Sequence, residues 1–398
     1  MTEILPSWRP GPTRDALLAF LERAATVPVE DRVAYFDNDG TLWCERPTYV
    51  QYDFFVDVLQ QRVAVDPGVA DRAEFAALIG GDPAAIEAVG LSRIAAALAG
   101  LFEGQTPQEF AAVTREFMVR AEHRTLARPL RTLVYQPMLE LIGELRRLDF
   151  SVGIVTGGGT EFVRAISQDL YGVPPELVVG TRIGYRLSTD AAGSPELRRT
   201  ADVAGEANEG AAKVSNIQSQ LGRRPMLAAG NSGGDREMLA WAAGAPGGLG
   251  LLIDHDDVDR EFAYRSLAVT VDEAEPITVV AERQGWTVAS MARDWVVVFE
   301  THGDSLTALA AEQLVKARQS HSGRAAHTVY GGHGHALRQT VIALAAGHEL
   351  AEHESPGEAT LQVLIGRVRL TAGDVAWEGG PGGIVAIPPA RHALAALE

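Results

Sequence analysis

The stretch Val33-Ala34-Tyr35-Phe36-Asp37-Asn38-Asp39-Gly40-Thr41 decides the fold. An apolar run that ends abruptly in two carboxylates two positions apart reads as a buried parallel strand. Such a strand delivers its acids to the carboxyl edge of its sheet, where open α/β sheets place their chemistry. Asp-x-Asp-Gly is also a sound turn and a passable start to a calcium loop. A calcium loop would continue with oxygen donors and close on a Glu, whereas Leu42, Trp43 and Cys44 follow here.

Three later segments belong with this one. Ser151-Val152-Gly153-Ile154-Val155-Thr156-Gly157-Gly158-Gly159 is a second apolar strand ending in a hydroxyl and a glycine-rich turn. Lys213 lies at the start of a helix expected to run through Ile217. Met226-Leu227-Ala228-Ala229-Gly230-Asn231-Ser232-Gly233-Gly234-Asp235 is a third strand-to-loop transition. In order and spacing the four segments resemble the motifs of the haloacid dehalogenase-like superfamily, most of whose members are magnesium-dependent phosphohydrolases. The resemblance covers roughly residues 30 to 300. Gly157 to Gly159 is not a P-loop, because no Gly-Lys-Ser/Thr follows.

The resemblance implies a role for each residue, and the chemistry of each suits it. Asp37 would attack phosphorus and become an aspartyl phosphate, splitting one hydrolysis into two displacements. Asp39 would protonate the leaving oxygen and then deprotonate the attacking water. Strand residues two apart share a face, so both acids can lean toward one substrate. Thr156, Thr41 and the amides of Gly157 and Gly158 would bond the phosphoryl oxygens, helped by the positive end of a helix beginning near Gly159. Lys213 would offset the charge of Asp37 and of the transferring group. The implied cofactor is Mg²⁺, held by the Asp37 carboxylate, the Asp39 backbone carbonyl, and Asn231 and Asp235. Asn231 is a departure, since the superfamily places an acid there; Asp235 is expected as a direct or outer partner of the metal.

Composition narrows the function classes. The chain has 398 residues, enough for two or three domains. Its net charge of −17 argues against a general nucleic-acid binder, whose affinity comes from clustered Lys and Arg. The single cysteine, Cys44, excludes an internal disulfide and is expected as packing. No apolar run approaches the ~20 residues of a membrane span, and no basic segment followed by an apolar core opens the chain. The expected setting is cytoplasmic, without membrane or nucleic-acid partners, acting on a small phosphorylated substrate.

The expected fold class is α/β, a Rossmann-like parallel sheet with a helical cap insertion, followed by a small all-β cupin-like barrel. Residues 14–26 have helical spacing and lead into the first strand. The long interval between Asp39 and Thr156 reads as amphipathic helices over 50–63, 84–101 and 107–121. It resembles the cap of phosphoserine-phosphatase-like members, which would close over the site and supply specificity. Trp43, Glu45, Arg46, Tyr49 and Tyr52 sit where the chain enters this cap and could face substrate or pack the junction. Residues 137–148 read as a helix, 180–200 as a small hairpin and 248–254 as a strand. His255, Asp256 and Asp257 read as a surface turn capping a helix from Val258. The domains are expected as 1–301, with core 1–47 and 130–301 and cap about 48–129, and 302–398.

After Phe299 the composition changes. Residues 305–318 read as a helix, and from His327 short β-type runs alternate with Gly and Pro turns. Residues 347–370 and 382–392 resemble the two motifs of a cupin. The usual metal set is broken: Ser355 replaces the second His, Glu358 is one place off register, and His392 follows a shortened spacer. His353 and His392 remain, with His333 and His335 at strand spacing. The chain stops where a closing strand is expected, so the barrel reads as incomplete or closed by a partner. The expected job of this domain is structural, homodimerising or small-molecule sensing. For the whole chain the reading is a Mg-dependent phosphomonoester hydrolase. Its alternatives are a phosphotransferase or mutase using the same residues, and a catalytically weak domain serving as ligand sensor.

Overall fold

Each apolar run singled out above is a strand, because it is buried on both faces and can only sit inside a sheet covered by helices. The computed structural model describes residues 3–268, 271, 273–299, 306–330, 337–354 and 357–397. The chain divides into two units, Met1–Glu300 and Thr301–Glu398.

The first unit opens with α1 (Pro12–Ala24) and β1 (Val33–Phe36). Five helices follow: α2 (Val50–Val65), α3 (Ala73–Gly80), α4 (Pro83–Val89), α5 (Leu91–Gly100) and α6 (Pro107–Arg120). The helix expected over 84–101 is two, because Gly90 at φ 89° and ψ 135° leaves helical geometry. α3 lay in a stretch given no element. α6 starts with a reciprocal capping box, Thr106 bonding the Glu109 amide and Glu109 the Thr106 amide.

The chain then returns to the sheet through α7 (Gln136–Arg147), β2 (Ser151–Gly159), α8 (Thr160–Tyr171) and β3 (Val178–Thr181). An antiparallel hairpin follows, β4 (Ile183–Thr189) and β5 (Pro195–Val203), close to the 180–200 expected. The rest is α9 (Ala211–Gln220), β6 (Leu227–Gly230), α10 (Arg236–Ala243), β7 (Leu249–Asp254), α11 (Ile277–Gln284) and β8 (Thr287–Ser290). The sheet order is β3-β2-β1-β6-β7-β8, parallel throughout. β1 is central, flanked by β2 and β6, so the carboxyl ends of the three motif-bearing strands lie side by side. One core covers a face of the sheet and continues into the insertion through Phe54, Phe102, Phe110 and Phe162. A smaller core packs α9, α10 and α11 on the other face.

One expectation fails here. No helix starts at Val258; residues 258–260 form a turn. His255 is buried, not on the surface, because its ring is spent on structure: Nε2 lies 2.8 Å from the Gly40 carbonyl and Nδ1 3.3 Å from Glu261.

The second unit begins with a helix, Leu306–Gln319. It continues as β9 (Arg324–Tyr330), β10 (Gln339–Leu344), β11 (Glu349–His353), β12 (Thr360–Gln362), β13 (Val368–Ala372), β14 (Val375–Gly379), β15 (Ile384–Ala386) and β16 (His392–Ala396). All pairings are antiparallel, in sheets β10-β9, β11-β16-β13-β14 and β12-β15, the all-β arrangement that the cupin resemblance implied. The last strand is not at an edge. β16 pairs with β11 on one side and β13 on the other, so it closes the four-stranded sheet from inside.

Candidate active site

Because β1, β2 and β6 are neighbours, the residues just past their ends meet. Lys213, from the first turn of α9, donates to Asp37 Oδ1 and to Asp235 Oδ1, each at 2.6 Å. All three side chains are buried. Asp235 spends its other oxygen on the backbone amides of Asn231 (3.0 Å) and Ser232 (3.1 Å). Both Asp235 oxygens are therefore occupied, and it orients Lys213 and the β6 turn. Asn231 turns its Nδ2 toward Glu45 Oε1 (3.1 Å) and Ser266 Oγ (3.0 Å).

Burial pushes the Asp37 carboxyl well above its ordinary range, and the Asp235 carboxylate adds to this; Lys213 pulls it down. Burial lowers Lys213, but the carboxylates of Asp235 and Asp37 outweigh that and hold its ammonium above the ordinary value. Asp39 is also raised, first by burial, against the pull of the Trp43 indole. That indole donates to Asp39 Oδ1 at 2.9 Å and fixes the carboxyl's direction.

Thr156, expected to bond the phosphoryl oxygens with the amides after it, sits inside the β2 turn. Thr156 is fully buried, and its Oγ1 accepts the Gly158 N–H at 2.9 Å. It shapes the turn, while Gly157, Gly158 and Gly159 line the cavity. Thr41 is likewise buried, facing Asp37 Oδ2 at 3.5 Å and Asn231 Oδ1 at 3.4 Å.

These groups open into a cavity of about 380 Å³. Asp37, Asp39, Lys213 and Asn231 line it, and so do Glu45, Tyr49 and Tyr52. Trp43 acts from behind through Asp39, and the Arg46 guanidinium stacks 4.2 Å from the Tyr264 ring. Cys44 is buried packing, its thiol pushed up chiefly by burial.

The donor set suits a hard cation. Asp37 Oδ2 and Asn231 Oδ1 flank the one Thr41 hydroxyl, and every donor is oxygen. Among the described residues no three His, Cys, Asp or Glu converge as a closed cage. Mg²⁺ needs none, since it binds through one or two protein oxygens with waters and substrate phosphate.

Several site residues carried no legible signal. Gln51, on the first turn of α2, accepts the Gly159 N–H at 2.8 Å and so ties the insertion to the β2 turn. Tyr264 donates to Glu45 (2.8 Å), and Tyr135 to Glu261 (2.9 Å), which faces His255. Arg199, on β5, lines the cavity from the hairpin. Tyr135, Arg199 and Tyr264 come from segments that only the folded chain brings near, whereas Gln51 lies between Tyr49 and Tyr52 at the entry to the insertion.

In the second unit, His353 and His392 rings lie 4.4 Å apart, each turning Nδ1 toward a carbonyl two residues earlier. Glu358 is exposed. His333, His335 and Ser355 lie outside the described residues. Among the described residues no helix is long and apolar enough to cross a membrane.

Several solved structures share parts of this architecture. A protein of unknown function from Bordetella pertussis Tohama I is 19% identical over 65% of this chain and 97% of its own, with a TM-score of 0.41. A probable phosphoserine phosphatase from Vibrio cholerae is 15% identical over 56% and 55%, with a TM-score of 0.33. A cupin superfamily protein from Desulfitobacterium hafniense DCB-2 is 19% identical over 19% and 67%, with a TM-score of 0.18. No curated protein matches the chain. The sequence profile of the haloacid dehalogenase-like hydrolases matches residues 34–240, which takes in all four motif segments and more than half of the chain. On that match, the chain belongs to the haloacid dehalogenase-like hydrolase family.

Proposed function

We propose that the chain hydrolyses phosphate monoesters through an aspartyl phosphate on Asp37. The observation that carries this reading is the buried Asp37–Lys213–Asp235 arrangement at the cavity floor, with Asp39 two residues on. Lys213 offsets the charge of the Asp37 carboxylate from 2.6 Å, and Asp37 supplies the attacking oxygen. That oxygen attacks phosphorus, and the leaving-group oxygen departs with the bonding pair and takes the Asp39 proton. A carboxyl raised by burial holds such a proton near neutral pH better than an exposed one. In the second step Asp39, now a carboxylate, takes a proton from water. The resulting hydroxide attacks phosphorus, and Asp37 leaves as a carboxylate.

The glycines of the β2 turn line the cavity at the start of α8, where phosphoryl oxygens would lie; the Gly158 and Gly159 N–H groups are spent on Thr156 and Gln51, so the positive end of α8 supplies the attraction. Asp37 and Asn231 would hold Mg²⁺, which would supply charge neutralisation for the transferring group. Water exclusion falls to the α2–α6 insertion.

The test is phosphate release from 4-nitrophenyl phosphate, with Mg²⁺ and with EDTA, by wild type and Asp37→Asn. Turnover that needs both Asp37 and the metal supports the reading. Unchanged release by a folded Asp37→Asn variant refutes it.

A further inference from the structure

The cavity holds a second cation that the hydrolytic steps leave unused. Arg199 is 4% exposed, and its guanidinium lies 3.9 Å from the centroid of Phe110. Its Nε and Nη1 have no hydrogen-bond partner, and among the described residues no carboxylate forms an ion pair with it. Glu161, the acid on the same wall, pairs with Arg164 at 3.0 Å. Directly across the hairpin from Arg199 is Tyr185, whose buried hydroxyl lies against the guanidinium.

The guanidinium is not needed to hold the hairpin in place. The backbone does that: the Arg199 N–H donates to Gln105 O (2.8 Å), and the Gly104 N–H to Arg199 O (2.9 Å). Neighbouring Arg198 makes the surface ion pair with Glu196. A buried charge with unspent donors is costly, and proteins keep one where something else satisfies it.

We propose that Arg199 takes a carboxylate carried by the substrate's leaving group, so that this hydrolase acts on a phosphate monoester of an apolar, carboxylate-bearing alcohol or phenol. The inference rests on the phosphatase reading of the same cavity. Phe55, Leu98, Phe110 and Phe162 make the walls between, which suits a hydrocarbon or aromatic body. A guanidinium fork matches a planar carboxylate, and Glu45, Glu161 and Glu209 on the same cavity disfavour a second dianion.

The test compares 3-(4-phosphooxyphenyl)propanoate with its primary amide. Wild type should prefer the acid by about tenfold or more in kcat/KM, chiefly through KM. Arg199→Met should erase that preference by raising KM for the acid, and Arg199→Lys should keep part of it, both checked for folding by circular dichroism. Equal turnover of acid and amide by wild type overturns the inference while leaving the phosphatase reading intact. So does an acid preference that survives Arg199→Met. Calorimetric binding of the two phosphonate analogues reads the same preference without turnover. A preference there with no hydrolysis would count against the phosphatase reading and for the role of Arg199.

Discussion

Gly40 shows how tightly single residues are fixed beside the nucleophile. It sits at φ +71°, and an added Cβ would fall 1.9 Å from Asn231 Nδ2 and 2.9 Å from the Glu45 carboxyl carbon. Gly40→Ala should therefore cost about 1–3 kcal/mol in denaturant unfolding and abolish most activity, because Asn231 and Glu45 must move. Asn231 itself sets a second expectation. Its Nδ2 is a donor to Glu45, so Asn231→Asp would replace that donor with an acceptor and face two carboxylates together. The variant should melt below wild type in EDTA and regain most of the difference when Mg²⁺ is added; a melting temperature unchanged in EDTA would show that the Glu45 contact carries no weight. Asp37, Asp39, Lys213, Asn231 and Asp235 were all legible because each follows a strand or opens a helix at a characteristic place. The full burial of Thr156 was not, because sequence gives no rotamer.

Among the elements, the strands were the most legible, since runs buried on both faces are continuous in sequence. Three helical stretches of the insertion stood out by period and the hairpin by its Gly, Tyr and Arg pattern, but Gly90 divided one helix, and α3 and β8 were missed. β8 has only Thr287, Val288, Ala289 and Ser290, too short and too mixed to announce a strand. What secures it is Asp294, just beyond. One Asp294 oxygen accepts from Thr13 of α1 (2.9 Å), from the Ser290 amide (2.9 Å) and from Arg293 (2.8 Å). Burial pushes the carboxyl up, but the bonds from Arg293, Ser290 and Thr13 outweigh it and hold Asp294 below its ordinary value of 3.8. Because the folded group titrates below the unfolded one, its stabilisation is full above the ordinary range and is lost as pH falls through the folded value. Asp294→Asn should therefore lower stability at neutral pH and flatten its fall in acid. Parallel wild-type and variant curves of unfolding free energy against pH below 5 would contradict this.

At the scale of the first unit, the N-terminal segment closes the core. Trp8 packs edge-on against Trp295 at 5.9 Å and donates its indole N–H to Pro137 O at 3.0 Å. Trp8→Ala should cost about 3–5 kcal/mol in chemical denaturation, and a loss below 1 kcal/mol would mean that this joint is not part of the cooperative core. The same unit joins sheet, insertion and hairpin around one cavity, so nucleophile and specificity groups come from segments far apart in the chain. That is why motif reading found the sheet edge and missed Arg199. The central claim is that phosphorus passes through Asp37. It is tested most directly by quenching the enzyme in acid during turnover of 4-nitrophenyl phosphate, reducing with borohydride and mapping peptides by mass spectrometry. The account predicts conversion to homoserine at position 37 alone, absent in Asp37→Asn. Steady turnover with Asp37 unmodified at every quench time, and retained by the Asp37→Asn variant, would contradict it.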